Sequence, residues 1–242
     1  MAHLQCVVYS KALEMDTCVN VILPNEGDLS RTRVVYLLHG LSDNYSAWCR
    51  YTAVERFALS ANVAVIMPEV QRSFYCDTVS GMAYFRYISQ ELPQMCSHFF
   101  SLSREPELNY IMGLSMGGFG ALKCALTYPE RYAGCGSFSG ALRMDHDLLR
   151  NVLMQEELAA LVGPDCQAGP ENDLIRLASE AEKLPPIYLS CGEQDRLYPM
   201  STEFSRCLEN LGAVYRFDHR PGTHSWEFWE QSLMDCFAYF FG

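Results

Sequence analysis

Gly113-Leu114-Ser115-Met116-Gly117-Gly118 follows a short apolar run, Tyr110-Ile111-Met112, and leads into Gly120-Ala121-Leu122-Lys123-Cys124-Ala125-Leu126. Strand, tight turn and helix in that order are the setting a Gly-x-Ser-x-Gly elbow requires. The glycines have a physical reason. The turn strains the serine backbone, and side chains two residues to either side would strike it or a neighbouring strand. At the start of a helix, Ser115 and the Met116 amide also sit in a positive field that favours a developing oxyanion. A glycine-rich turn without chemistry is the plainer reading of these letters; the flanking strand and helix argue against it.

Outward from the elbow, short apolar runs alternate with stretches of helical periodicity, the pattern of a mostly parallel sheet covered by helices. The expected strands are Val34 to Leu38, Val63 to Met67, Tyr110 to Gly113, Cys135 to Phe138, Ile187 to Ser190 and Val214 to Phe217. Val19, Val21 and Leu23 alternate with polar residues and predict an outer antiparallel strand. After Ser201, Phe204, Cys207, Leu208 and Leu211 share a helical face, and Gly212 supplies the stop. Phe85, Ile88, Leu92 and Met95 keep helical spacing, with Pro93 expected to kink or restart that helix. The stretch from Met144 to Lys183 reads as a helical excursion between two core strands, about 141–184, within one domain spanning the whole chain.

A serine hydroxyl needs a histidine to take its proton and a carboxylate to orient that histidine. Folds built around this elbow present them in the chain order serine, acid, histidine. Downstream of Ser115 stand His146, His219 and His224. His146 lies in the excursion, with no acid-bearing strand end between it and Ser115. His219 ends a strand, where a structural hydrogen bond is the simpler role. His224 follows Pro221-Gly222-Thr223 on a loop after the last strand and is the expected base. The loop after Ile187 to Ser190 reads Cys191-Gly192-Glu193-Gln194-Asp195. Asp195 is the favoured acid, with Glu193 in reserve and Asp218 more distant. The oxyanion donors are expected from the Leu41 and Met116 amides, because the first core strand ends in His39-Gly40-Leu41 and such folds set that loop opposite the elbow. His39 precedes Ser115 in the chain and is expected to be structural.

The chain has 242 residues, of which 49% are hydrophobic, enough for a sizeable core. Its net charge of −11 argues against nucleic acid and anionic membrane as partners. No apolar run reaches the roughly 18–20 residues of a membrane span, and the first residues lack the pattern of a signal peptide. The cysteines number eleven, without Cys-x-x-Cys spacing. That predicts reduced thiols in a cytoplasm, with neither a disulfide framework nor a zinc site.

Together, His39-Gly40-Leu41, the elbow, Gly192-x-x-Asp195-x-Leu197 and Gly222-x-His224-x-Trp226 resemble the putative-esterase family of α/β-hydrolases. That group includes esterase D, S-formylglutathione hydrolases, and tributyrin and feruloyl esterases. Tyr9-Ser10-Lys11-Ala12-Leu13, Val19 to Pro24, Ser73-Phe74-Tyr75 and Tyr87-Ile88-Ser89-x-Glu91-Leu92-Pro93 look closest to the bacterial tributyrin-esterase-like acetyl esterases. The resemblance implies an acyl-enzyme mechanism without metal or organic cofactor, acting on small-molecule short-chain esters. A thioesterase for S-formylglutathione and a feruloyl or acetylxylan esterase use the same machinery, and an inactive hydrolase-fold binding protein is the rival of another class. A homo-oligomer is left open. Trp48, Tyr75 and Trp226 could line the mouth for an aromatic or sugar group, although core packing is the commoner role of such residues.

Overall fold

The computed structural model describes residues 1–144, 146–165 and 168–242. Its strands are β1 (Ala2–Ser10), β2 (Met15–Leu23), β3 (Arg33–Leu38), β4 (Val63–Pro68), β5 (Asn109–Leu114), β6 (Gly134–Phe138), β7 (Ile187–Gly192) and β8 (Tyr215–Arg220). They form an eight-stranded sheet in the order β1-β2-β4-β3-β5-β6-β7-β8. β1 and β2 are an antiparallel hairpin, β2 meets β4 antiparallel, and every pairing from β4 to β8 is parallel.

The helices are α1 (Ala47–Tyr51), α2 (Val54–Ala61), α3 (Tyr84–Arg86), α4 (Leu92–Phe100), α5 (Met116–Thr127), α6 (His146–Val152), α7 (Gln155–Val162), α8 (Leu174–Glu180), α9 (Tyr198–Asn210) and α10 (Trp226–Phe241). Side chains alternate across each strand, so the sheet has two cores. Val34, Tyr36 and Leu38 face α4, α5, α8 and α9, while Val35 and Leu37 face α1, α2 and α10. α5 is buried from Met116 to Leu126, and its sequence is apolar on every face apart from Lys123. None of the helices is long and apolar enough to cross a membrane, among the described residues.

Two elements depart from expectation. The Val19–Leu23 segment is not outermost: β1 takes the edge. Both faces of β2 are covered, with Val21 in one core, Ile22 in the other and Asn20 buried, its Nδ2 donating to Tyr45 O at 3.3 Å. β1 carries the half-covered alternation instead, with Leu4, Cys6 and Val8 inward and Val7 and Tyr9 exposed. Leu211 leaves the apolar face of α9 and is exposed, because α9 ends one residue earlier and Gly212 turns away at φ 65°. The restart expected at Pro93 is present: α4 begins at Leu92 with Pro93 in its first turn. α3 runs into α4 through one π-helical turn, Tyr87–Glu91, in which the Leu92 amide donates to Tyr87 O. Proline has no N–H for the Ser89 carbonyl four residues back, and Arg131 Nη1 supplies that donor at 3.0 Å.

Between β6 and β7 the chain runs through α6, α7 and α8. This excursion is tied to the elbow helix from within. Lys123 of α5 is buried, and its Nζ donates to Asn172 Oδ1 at 2.6 Å while lying 4.4 Å over the Phe85 ring.

Candidate active site

Ser115 stands where β5 turns into α5, at φ 52° and ψ −116°, a conformation L-residues rarely adopt. Backbone bonds over-determine it. Its amide donates to Phe138 O at 2.8 Å, and its carbonyl accepts from the Ala141 amide at 3.1 Å. The neighbouring glycines leave no alternative. A Cβ on Gly117 would lie 2.5 Å from Leu38 O, and one on Gly113 would collide with Gly117 O.

His224 rides the loop between β8 and α10. Its Nε2 is 3.0 Å from Ser115 Oγ, and its Nδ1 is 2.7 Å from Asp195 Oδ2. With the ring neutral, Nδ1–H donates to the carboxylate and Nε2 accepts the serine proton. The Asp195 side chain is fully buried, and its second oxygen accepts from the Leu197 amide at 2.9 Å. Burial works to raise the Asp195 pKa, but the His224 hydrogen bond, the Leu197 amide and the His224 charge together hold it below the ordinary carboxylate value. The loops bearing acid and base are laced together. Gly222 N–H donates to Gln194 Oε1 at 2.7 Å, and Gln194 N–H donates to Gly222 O at 3.0 Å. The edge of Trp229 closes on the His224 ring, 4.8 Å between centroids at 88°.

The other candidates are engaged elsewhere. His219 Nδ1 meets Glu193 Oε1 at 3.0 Å on the exposed face, so the reserve base and the reserve acid occupy each other. Asp218 Oδ2 accepts from Tyr188 Oη at 2.9 Å and from Arg220 at 2.6 Å. His39 accepts the Val70 amide at Nε2, 3.2 Å, which leaves its Nδ1–H to the Gly40 carbonyl at 2.8 Å. The His146 side chain lies outside the described residues, as does Cys166. The ten described cysteines are free thiols.

A cavity of about 590 Å³ opens over Ser115, with Leu41 and Met116 in its wall. As the first residue of α5, Met116 has an amide without an intrahelical acceptor. Of the three aromatic residues expected at the mouth, only Trp226 lines the cavity, stacked on Tyr51 at 4.9 Å. Trp48 and Tyr75 are corrections. Trp48 is buried behind Trp226, edge-on at 5.3 Å, and its Nε1 donates to Leu38 O at 3.1 Å. Tyr75 is buried with its hydroxyl on His39 O at 2.9 Å. Both fill space between sheet and helix, where apolar burial outweighs exposure. Phe74, the neighbour of Tyr75, reaches the cavity instead, as do Val152 and the charged Asp43, Arg196 and Glu227. Nothing local in the sequence marks these; Val152 arrives from the helical excursion.

Comparison with known proteins agrees with this architecture. The family model described as "Putative esterase" matches residues 10–240. An acetyl esterase of Caldicellulosiruptor saccharolyticus is 29% identical over 99% of this chain and 98% of its own. Among solved structures, the fluorophosphonate-binding serine hydrolase FphF of Staphylococcus aureus superposes with a TM-score of 0.92 at 29% identity, covering 100% of this chain and 98% of its own. The S-formylglutathione hydrolase FrmB of the same organism gives 0.90 at 29% identity, covering 100% and 99%. With an elbow serine at the end of a central parallel strand and a family match over nearly its whole length, the chain belongs to the Putative esterase family, as a carboxylic ester hydrolase of α/β-hydrolase fold.

Proposed function

We propose that this protein hydrolyses short-chain acyl esters, acetyl to butyryl, through Ser115, His224 and Asp195. One observation carries the reading: the unbroken relay Asp195–His224–Ser115, with bonds of 2.7 and 3.0 Å, opening into the cavity. His224 Nε2 takes the hydroxyl proton as Ser115 Oγ attacks the ester carbonyl, and the Leu41 and Met116 amides receive the oxyanion. The protonated ring hands its proton to the leaving alcohol. Water then enters, loses a proton to His224 and attacks the acyl-enzyme, and collapse of that second intermediate releases the acid and returns the proton to Ser115. Asp195 keeps the proton on Nδ1 throughout and stabilises the imidazolium.

The acetyl esterase relative supports the short acyl group, and a cavity of about 590 Å³ must hold both halves of the ester. The partner is thus a small-molecule ester, and the free thiols support a reducing, cytoplasmic setting. The likeness to an S-formylglutathione hydrolase favours a second reading, a thioesterase with the same serine. A panel of p-nitrophenyl acetate, butyrate and decanoate beside S-formylglutathione separates these readings. The expected result is the highest kcat/KM on acetate or butyrate; an optimum at ten or more acyl carbons overturns the short-acyl reading, and a dominant thioester activity favours the second.

A further inference from the structure

On the face of the sheet covered by α1 and α2, side chains from three elements converge away from the active site. His3 is on β1, Cys49 on α1 and Met67 on β4. The His3 imidazole is oriented by a carboxylate, with Nδ1 3.0 Å from Glu55 Oε1 of α2. With its ring proton held there, the free lone pair at Nε2 faces Cys49 Sγ at 3.8 Å. Cys49 Sγ in turn lies 3.7 Å from Met67 Sδ. A metal ion roughly 2.0 Å from nitrogen and 2.3 Å from sulfur, at near-tetrahedral angles, holds such donors about 3.5–3.8 Å apart. The nitrogen–sulfur and sulfur–sulfur spacings are therefore already those of a coordination sphere.

We infer that His3 Nε2, Cys49 Sγ and Met67 Sδ form a binding site for a soft cation, Cu(I), with Glu55 as the carboxylate that orients the imidazole. The donor chemistry selects the ion. Thiolate and thioether are soft ligands that favour Cu(I), whereas calcium and magnesium take oxygen donors. Glu55 belongs to the outer sphere because its oxygen is used on Nδ1, the carboxylate–histidine arrangement that fixes metal-binding rings elsewhere. Binding exchanges a proton for the ion: the Cys49 S–H bond breaks, a copper–sulfur bond forms, the proton leaves to solvent and no oxidation state changes. The site is open on one side, with His3 and Glu55 side chains 31% and 52% exposed, and floored on the other by buried Met67. Local spacing could not reveal it. β1 pairs with β2 and β2 with β4, and this pairing brings His3 across the sheet toward Met67.

The test is an anaerobic titration of the reduced full-length protein against a chromogenic Cu(I) chelator, with thermal melts to confirm that each variant is folded. One equivalent of copper should leave the chelator for the wild-type protein. His3→Ala and Met67→Leu should each weaken that equivalent at least about tenfold, and Glu55→Gln about 10- to 100-fold. His3→Ala and Met67→Leu retain every cysteine of the chain, so copper bound merely to another thiol would be unaffected by them. His3 is a surface residue and Met67→Leu conserves volume, so both variants should fold. An affinity within twofold of wild type in both would overturn the site. Displacement of Cu(I) by an equal concentration of Zn(II) would overturn the choice of ion.

Discussion

At the residue scale, the proposed relay assigns the work to three side chains, and each can be removed alone. Ser115→Ala should lower turnover of p-nitrophenyl acetate about a million-fold with the melting curve unchanged, because the oxygen 3.0 Å from His224 Nε2 is Ser115 Oγ. Asp195→Asn should cost about ten-thousand-fold, since an amide favours the wrong histidine tautomer. Glu193→Gln should be mild, because that acid faces His219 on the surface. Comparing His224→Ala with His219→Ala decides the base; an inactive, well-folded His219 variant beside an active His224 variant would sink the assignment. Asp195 also bears on stability. Its folded pKa is lowered, so its stabilising contribution is present above the unfolded value of about 3.9 and is lost as pH falls through the lower folded value.

At the element scale, the π turn before Pro93 is where helical periodicity and proline chemistry conflict. The helix restarts there with a guanidinium from the turn just after α5 taking the orphaned Ser89 carbonyl. Ser89 is buried, so that carbonyl has no ready access to water. Arg131→Ala should therefore cost about 1–3 kcal/mol in urea unfolding. Arg131 also lies 3.8 Å over the Tyr128 ring and 3.3 Å from Glu130 Oε1, so the single variant removes three interactions. The double variant isolates the one of interest. In a Pro93→Ala background the new amide can serve the Ser89 carbonyl, and the loss on Arg131→Ala should be smaller. Strictly additive costs would show that the carbonyl is not what Arg131 satisfies.

Across the whole molecule, the buried thiols make stability depend on pH. Burial pushes Cys96, Cys124 and Cys191 each up to about 12, and it raises Cys135 and Cys236 as well. In the unfolded chain a thiol ionises near pH 8.5. Between that value and the folded one the unfolded state binds fewer protons, so stability falls as pH rises. For each such thiol the loss is about 1.4 kcal/mol per pH unit across that window. In reducing buffer the Tm should be steady up to about pH 8 and fall steeply towards pH 10, and Cys124→Ala should flatten the slope. A flat profile in the wild-type protein would contradict this account.

Sequence alone determined whatever is encoded within a few neighbouring residues. The elbow, its flanking strand and helix, the order of strands along the chain and the loops carrying Asp195 and His224 all follow from periodicity, glycine and turn chemistry. The edge strand was misplaced at Val19–Leu23, because which strand lies outermost depends on the pairing of β1 with β2. The tertiary structure decided everything that depends on which strands lie side by side. Local context could not tell Trp48 from Trp226, because both are large aromatics in the first turn of a helix and only the packing of those helices separates core from cavity wall. Nor could it find Phe74, Tyr51 or Val152 around the cavity, or bring His3, Cys49 and Met67 together. A strand's own letters specify its faces, but its neighbours in the sheet are chosen by burial summed over the whole chain, and the cavity is the space that choice leaves.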